Sequence, residues 1–476
     1  MKYSMIAVLL FTLLPVPALA DTRQQMLDYL ESNTEQYADL ARTIWDKAEL
    51  GYRETESSAL LQSTLAAEGF DIEAGVADIP TAFVASYGSG RPVIAFLAEF
   101  DALPGISQAA EPVRLEIEGK SAGHACGHHL FGAGSTAAAV AVKRWMAQNG
   151  VKGTVRLYGT PAEEGGSGKV YMVRAGLFDN VDSVLVWHPA DHNAANPSST
   201  LANKSAKFRF RGVASHAAVA PERGRSALDG VEAMNFMTNM LREHIPQTAR
   251  MHYVITAGGT APNVVPEFAE VFYYVRHPNA AELEKIWSRV LSAAEGAALG
   301  SGTELEVEVI HGNHSVLPNE ALARVMHRNL ERAGAPRWSR EEKAFAATLA
   351  ESLPPGSGAA GAEEQIRPMA FYQSMGSTDV GDVSWTVPTI EMRAATWVPG
   401  TAPHTWQAIA AGGMGIGSKG MMTAARTLSL TAGELMLNPD LLAAARAEFE
   451  ERRGADWQYE PLLGDRDPPL DYRAGF

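Results

Sequence analysis

Cysteine is almost missing from this chain: 476 residues contain one, Cys126. A single thiol forms no internal disulfide, so the fold must rest on its core and not on cross-links. Long apolar runs are missing as well beyond the first twenty residues, which argues against a helical membrane span. Positive charge is in deficit, with 40 Lys and Arg against 55 Asp and Glu and a formal charge of −15. Such a balance disfavours nucleic acid and anionic membrane as partners. No internal repeat is visible.

What is present begins with a leader. Residues 1–20, MKYSMIAVLLFTLLPVPALA, join a basic start at Lys2 to a short apolar run and a small-residue end at Ala18-Leu19-Ala20. This is the pattern of a secretory signal peptide, with cleavage expected before Asp21. Asp21 is not a cysteine, so no lipid anchor is expected there. The mature chain is then exported, periplasmic or secreted, and its charge without Lys2 becomes −16. A free thiol in an oxidising compartment is a liability that a bound metal would remove.

Along the chain, 21–69 has a helical pattern, and 81–87 and 92–100 read as strands, the second an apolar run ending at Asp101. The stretch 123–129, Gly-His-Ala-Cys-Gly-His-His, follows, and an alanine-rich helix is expected over 133–148. A strand at 155–159 leads into Pro161-Ala162-Glu163-Glu164-Gly165-Gly166, a short helix at 169–175 comes next, and a third core strand at 181–186 stops at Trp187-His188-Pro189. This alternation predicts an α/β sheet with mainly parallel neighbours. It puts Asp101, Glu163, Glu164 and His188 past the carboxyl ends of strands, the edge where open α/β sheets bind ligands. From about 204 to 315 the pattern changes to strands at 207–211, 269–276 and 304–310 with helices at 226–243 and 282–299. That is a small α+β sandwich inserted into the first domain, which comprises 21–203 and 316–476. A mobile loop is expected at 354–362, a strand at 386–392, a loop holding His404, and helices at 419–437 and 439–452.

Thiolate, imidazole and carboxylate are the donors that borderline-soft divalent ions take. Cys126 and His128, one residue apart, can be aimed at one point by a glycine-containing turn. The adjacent Glu163 and Glu164 diverge, so one can ligate while the other handles a proton. Any one of these residues alone reads as structural; their convergence on one sheet edge points to a metal site.

The sets FDALPG (100–105), HACGHH (124–129), PAEEGGSG (161–168), VLVWHP (184–189) and PHTW (403–406) resemble the amidohydrolase branch of metallopeptidase family M20. The resemblance implies two divalent metal ions, zinc or manganese, held by Cys126, His128, Glu164, His188 and His404. Cys126 takes the place of a bridging Asp found in other branches. It also implies Glu163 as general base and Asp101 as the residue orienting a ligand. Two ions about 3.5–4 Å apart activate a water and polarise an amide carbonyl. His129 stands where this branch often has Asp, and the roles of His129, His124 and Asp379 stay open.

By the same resemblance the insert is a lid or dimerisation domain, with His216 and Asn263 reaching the substrate carbonyl and Arg276 a substrate carboxylate. The residues alone favour His216 capping a turn and Asn263 satisfying loop backbone, and they allow Arg276 equally to make a surface ion pair. The expected activity is cleavage of an N-acyl or N-aroyl amino acid by a small-molecule amidohydrolase, as a homodimer or with a different subunit. A dipeptidase or carboxypeptidase, and a non-catalytic binding protein of the same fold, are the alternatives.

Overall fold

Val93–Ala98 reads VIAFLA, and all six side chains are buried, as expected of a strand covered on both faces. The computed structural model, which describes residues 22–475 and so leaves the expected leader outside the described residues, places this strand at the middle of a seven-stranded sheet. It lies parallel to Gly153–Gly159 on one side and to Ser183–Ala190 on the other. Ser183–Ala190 is in turn parallel to Thr389–Ala395. Phe83–Ser89 and Asp71–Ala74 extend one side in antiparallel pairing, and Ala194–Ala195 closes the other. Four parallel strands thus bring their carboxyl ends to one edge. The small side chains of the helix His128–Asn149 let it lie against Val93–Ala98 and against the long helix Gly415–Leu437.

Residues 202–313 build a second unit. Its antiparallel sheet runs in the order Arg250–Ala257, Phe268–His277, Ala202–Arg211, Glu304–Asn313. Phe268–His277 alternates strictly between half-buried and buried, so Ala269, Val271, Tyr273, Val275 and His277 all face inward. The helices Ala227–Leu241 and Ala280–Ser301 cover that face, closing a separate core around Phe208, Phe210, Tyr273 and Trp287. The molecule is therefore α/β with a second, α+β unit. Among the described residues no helix is long and apolar enough to cross a membrane.

Three local expectations are corrected. The alanine-rich helix begins at His128, not at Ala133, because packing against the sheet overrides the poor helix propensity of its His and Gly residues. The strand expected to stop at Trp187 runs on to Ala190, since its pairing with Thr389–Ala395 continues through His188 and Pro189. Arg250–Ala257 is a strand that sequence pattern misses: it is an edge strand with Met251 its one buried residue, so it carries no alternation.

The two units meet at a buried polar relay. Asn203 Nδ2 donates to His311 Nε2 (2.9 Å), His311 Nδ1 to Ser167 Oγ (3.1 Å), and Ser167 Oγ to Asn313 Oδ1 (2.8 Å). Burial and the nearby charge of Arg276 push His311 down to about 3. The folded state therefore keeps this imidazole neutral while the unfolded chain protonates it below about pH 6.5. Stability falls with acidification in that window, by about 1.4 kcal/mol per pH unit from this residue. Urea denaturation between pH 7 and pH 5 is expected to show a shallower pH slope for His311→Gln than for the parent; equal slopes would contradict the assignment.

Candidate metal centre

Gly127 sets the geometry of the opening motif. Its φ of +78° favours glycine, and a Cβ there would lie 2.7 Å from Pro189 Cβ. This turn lets Cys126, before it, and His128, the first residue of the helix, face one point. His188 reaches that point from inside its strand, with Nε2 3.5 Å from Cys126 Sγ. From the loop after Thr389–Ala395 comes His404, held at φ +64° by donating its N–H to Ala125 O (2.9 Å). Its Nε2 lies 3.0 Å from Glu164 Oε1.

Two potential ligand sets result, Cys126–His128–His188 and Cys126–Glu164–His404, each with donor atoms within 4.8 Å of one another. Cys126 belongs to both. The ring nitrogens are prepared for such a role. His128 Nδ1 donates to Asp101 Oδ1 (2.9 Å) and His188 Nδ1 to Pro189 O (2.7 Å), so each ring aims its Nε2 at the cluster. Against burial, the charges of Cys126, Glu99 and Asp101 raise His128 well above its ordinary value, and a bound ion would displace its Nε2 proton. Burial, then the charges of Arg393 and His128, hold His188 well below its ordinary value and therefore neutral, the ligating form. Hydrogen bonds to Cys126 and Glu164 raise His404 to about 11, as suits an imidazole between two anionic groups. Glu164 Oε1, His128 Nε2 and Glu99 Oε2 are buried and make no well-aligned hydrogen bond, although Glu164 Oε1 lies 3.0 Å from His404 Nε2 and Glu99 Oε2 lies 3.1 Å from His128 Nε2. Buried polar atoms are rarely left so, and divalent cations held by the two sets would engage His128 Nε2 and Glu164 Oε1. The sulfur, nitrogen and oxygen donors fit zinc or manganese.

Asp101 sits behind this cluster. Its other oxygen accepts the Glu164 N–H at 2.9 Å, so one carboxylate fixes both the His128 ring and the Glu164 backbone. Burial, and then the carboxylates of Glu99, Glu164 and Asp379, push Glu163 well above the usual carboxylate range. A carboxyl raised in this way suits a proton acceptor working near neutral pH.

Other expected residues fall elsewhere. His216 is exposed, and its Nδ1 accepts the N–H groups of Ala218 and Val219, each at 3.2 Å, so here it caps a turn. Asn263 is exposed, its backbone carbonyl accepting the Ala217 N–H at 3.0 Å. Among the described residues no hydrogen bond or ion pair joins either side chain to the metal cluster. Arg276 is not a surface ion pair: it is largely buried, donates to Ser377 Oγ (3.2 Å), and lies within electrostatic reach of Glu163. The rings of His124 and His129 pack tilted, 4.9 Å apart, and donate to Ile44 O and Gly412 O, both at 3.1 Å, outside both ligand sets.

Residues 95–404 match peptidase family M20/M25/M40. The chain belongs to that family. It is 42% identical over 453 residues, 89% of this chain and 94% of the relative, to one subunit of the p-aminobenzoyl-glutamate hydrolase of Escherichia coli. Xaa-Arg dipeptidase of Mus musculus is 29% identical over 90% of this chain and 92% of its own. A dinuclear metal-binding M20 peptidase of Bacillus subtilis shares the fold, with a TM-score of 0.56 at 19% identity, covering 86% of this chain and 99% of its own. This M20 chain is an amide-bond hydrolase of a metal-dependent family.

Sequence reasoning missed Glu99 and Lys169. Glu99 Oε2 lies 3.1 Å from His128 Nε2, and Glu99, His128 and Glu163 form a further close group. Lys169 is fully buried, with Nζ 2.7 Å from Glu99 Oε1 and 2.8 Å from Asp379 Oδ1. Burial alone lowers its ammonium, but Asp379, Glu99 and Glu163 outweigh that and raise it. A charged residue in the otherwise apolar run Lys169–Val173 was the available signal. In the M20 chain Lys169→Met strands two buried carboxylates, and a loss of about 3–5 kcal/mol is expected in urea denaturation. A loss below about 1 kcal/mol would contradict the ion-pair reading.

Proposed function

We propose that the chain is an exported amidohydrolase that cleaves N-acyl or N-aroyl amino acids, p-aminobenzoyl-glutamate-like compounds being the nearest substrate class. The observation that carries this is the sharing of Cys126 between two ligand sets, with Glu163 beside Glu164 and outside both. Cys126, His128, Glu164, His188 and His404 would hold two divalent ions, zinc or manganese. Those ions, when bound, supply polarisation of the amide carbonyl and acidification of a water. Glu163 takes the proton from the attacking water and returns it to the leaving amine nitrogen. Asp101 keeps His128 in the tautomer that ligates through Nε2. Arg276, within electrostatic reach of Glu163 and hydrogen-bonded to the Ser377 hydroxyl, pairs with the substrate carboxylate.

The edge strand Arg250–Ala257, with Tyr253, Val254 and Ile255 exposed along it, supports pairing with a second subunit. We take that subunit to be another copy of this chain. A different subunit is the alternative, because the Escherichia coli relative is named as one of two distinct subunits of its hydrolase. Cleavage of dipeptides is the second reading and draws on the Xaa-Arg dipeptidase relative.

Thorough chelation is expected to abolish turnover of N-acyl glutamates, and added zinc or manganese to restore it. Full activity in protein shown by elemental analysis to be metal-free would refute the mechanism. A panel of N-acyl amino acids against dipeptides separates the two substrate classes.

A further inference from the structure

Beyond the last long helix, Pro439–Arg453, the chain does not trail away. It crosses the junction of the two units and returns to the metal centre, all of it outside the residues that match the family. Leu462 packs in the core of the smaller unit and its neighbour Leu463 in that of the larger. The crossing is close: a Cβ on Gly312 would lie 2.6 Å from the Leu462 carbonyl carbon. Arg466 then donates to Ile310 O (3.0 Å) and Val309 O, both on the strand Glu304–Asn313. From the other unit Arg174 donates to Arg466 O (2.8 Å) and Gly464 O (3.1 Å).

The segment ends on the catalytic loop. Tyr472 Oη donates to Glu164 O at 3.1 Å, and Arg473 Nη2 to the same oxygen at 2.7 Å. The Tyr472 ring packs edge-on against Tyr52 at 5.6 Å, and its hydroxyl fills the space where Gly51 has no side chain. The loop it meets is strained: Ala162 and Ser167 stand at φ +57° and +59°, and Gly165 at +90°. Non-glycine residues keep such conformations only where their surroundings hold them.

We propose that residues 459–473 form a strap that fixes the 161–167 loop, with Tyr472 and Arg473 as positioning residues for Glu163 and Glu164. This rests on the hydrolase reading of those two glutamates. Two donors on one carbonyl fix the peptide plane between Glu164 and Gly165. That plane sets the direction in which the Glu164 side chain leaves the backbone, and displacements of about 1 Å at a reacting centre can cost about 10²-fold in rate. The strap also ties the loop to the strand Glu304–Asn313, so the loop is held by both units at once.

The test uses the full-length protein, with Tyr472→Phe, Arg473→Ala, their combination, and Arg473→Lys. Zinc affinity is measured by competition with a chromophoric chelator, and kcat and KM on an N-acyl glutamate. The double variant is expected to lose affinity at one of two zinc sites by about 10–100-fold. Its kcat should fall by about 10–100-fold with KM changed much less, and Arg473→Lys should recover most of the kcat. Parent-like zinc affinity and kcat in the double variant would overturn the proposal. So would failure of Arg473→Lys to exceed Arg473→Ala. If the parent hydrolyses no N-acyl amino acid while the double variant still loses one zinc site, the hydrolase reading fails and the strap stands. Should the double variant not fold, Tyr472→Phe lacks a single hydroxyl and carries the same comparison. A weakened zinc site in it supports the strap, and unchanged affinity and kcat refute it.

Discussion

Glu163→Ala is expected to lower kcat by about 10²–10⁴-fold while the protein still binds two divalent ions. The asymmetry follows from geometry. Glu163 is absent from both Cys126-containing ligand sets, so deleting its carboxylate removes no donor from either. Its raised affinity for a proton has named causes, burial first and then the carboxylates of Glu99, Glu164 and Asp379. A base of that kind matters where a proton is in flight, in the transition state, and not in ground-state binding. KM for an N-acyl glutamate should therefore move little. Kinetics together with elemental analysis of the purified variant decide the matter. Turnover within threefold of the parent would remove Glu163 from the mechanism. Loss of a metal along with activity would recast it as a ligand, which its proximity to Glu99 and His128 makes the outcome to watch.

The parallel strands and the convergence of site residues on one edge were legible because buried parallel strands are written as apolar runs. Val93–Ala98 is such a run, and it delivers Glu99 and Asp101 to the sheet edge. Cys126, His128, Glu164, His188 and His404 were legible as donors by residue type, and the structure brings them into two overlapping sets. Where His128 and His188 sit was less legible. Local propensity puts His128 in a loop and His188 past a strand, whereas tertiary pairing draws both into regular structure. Lys169 was hidden because a lysine in a short helix ordinarily reads as solvent-facing; its burial depends on Glu99 and Asp379, 70 and 210 positions away. The His216 and Asn263 roles came from resemblance alone, and in this chain both side chains are exposed. The strap could not be read at all. A proline-rich tail has no periodicity, and its contacts are single hydrogen bonds to distant carbonyls.

Cys126→Ala is expected to weaken both metal sites together, whereas His188→Ala or His404→Ala weakens mainly one. The reason is counting of donors. Cys126 is the common member of the sets Cys126–His128–His188 and Cys126–Glu164–His404, so its loss leaves each with two residues. Either histidine belongs to one set only. Altering a residue that merely orients a ligand commonly costs about 10–100-fold in metal affinity, so deleting a shared ligand should cost at least that at both sites. Zinc titration against a competing chelator should then fit two weakened sites for Cys126→Ala and one for each histidine variant. Activity should vanish in the cysteine variant, since neither ion is retained at ordinary concentrations. Cys126→Asp is the informative companion, because a carboxylate can also join two ions but is a harder donor than a thiolate. It should recover binding of two ions and shift the preference from zinc towards manganese. If Cys126→Ala instead loses a single ion and leaves the second at parent affinity, the thiolate is not shared, and the two sets are alternative descriptions of one site.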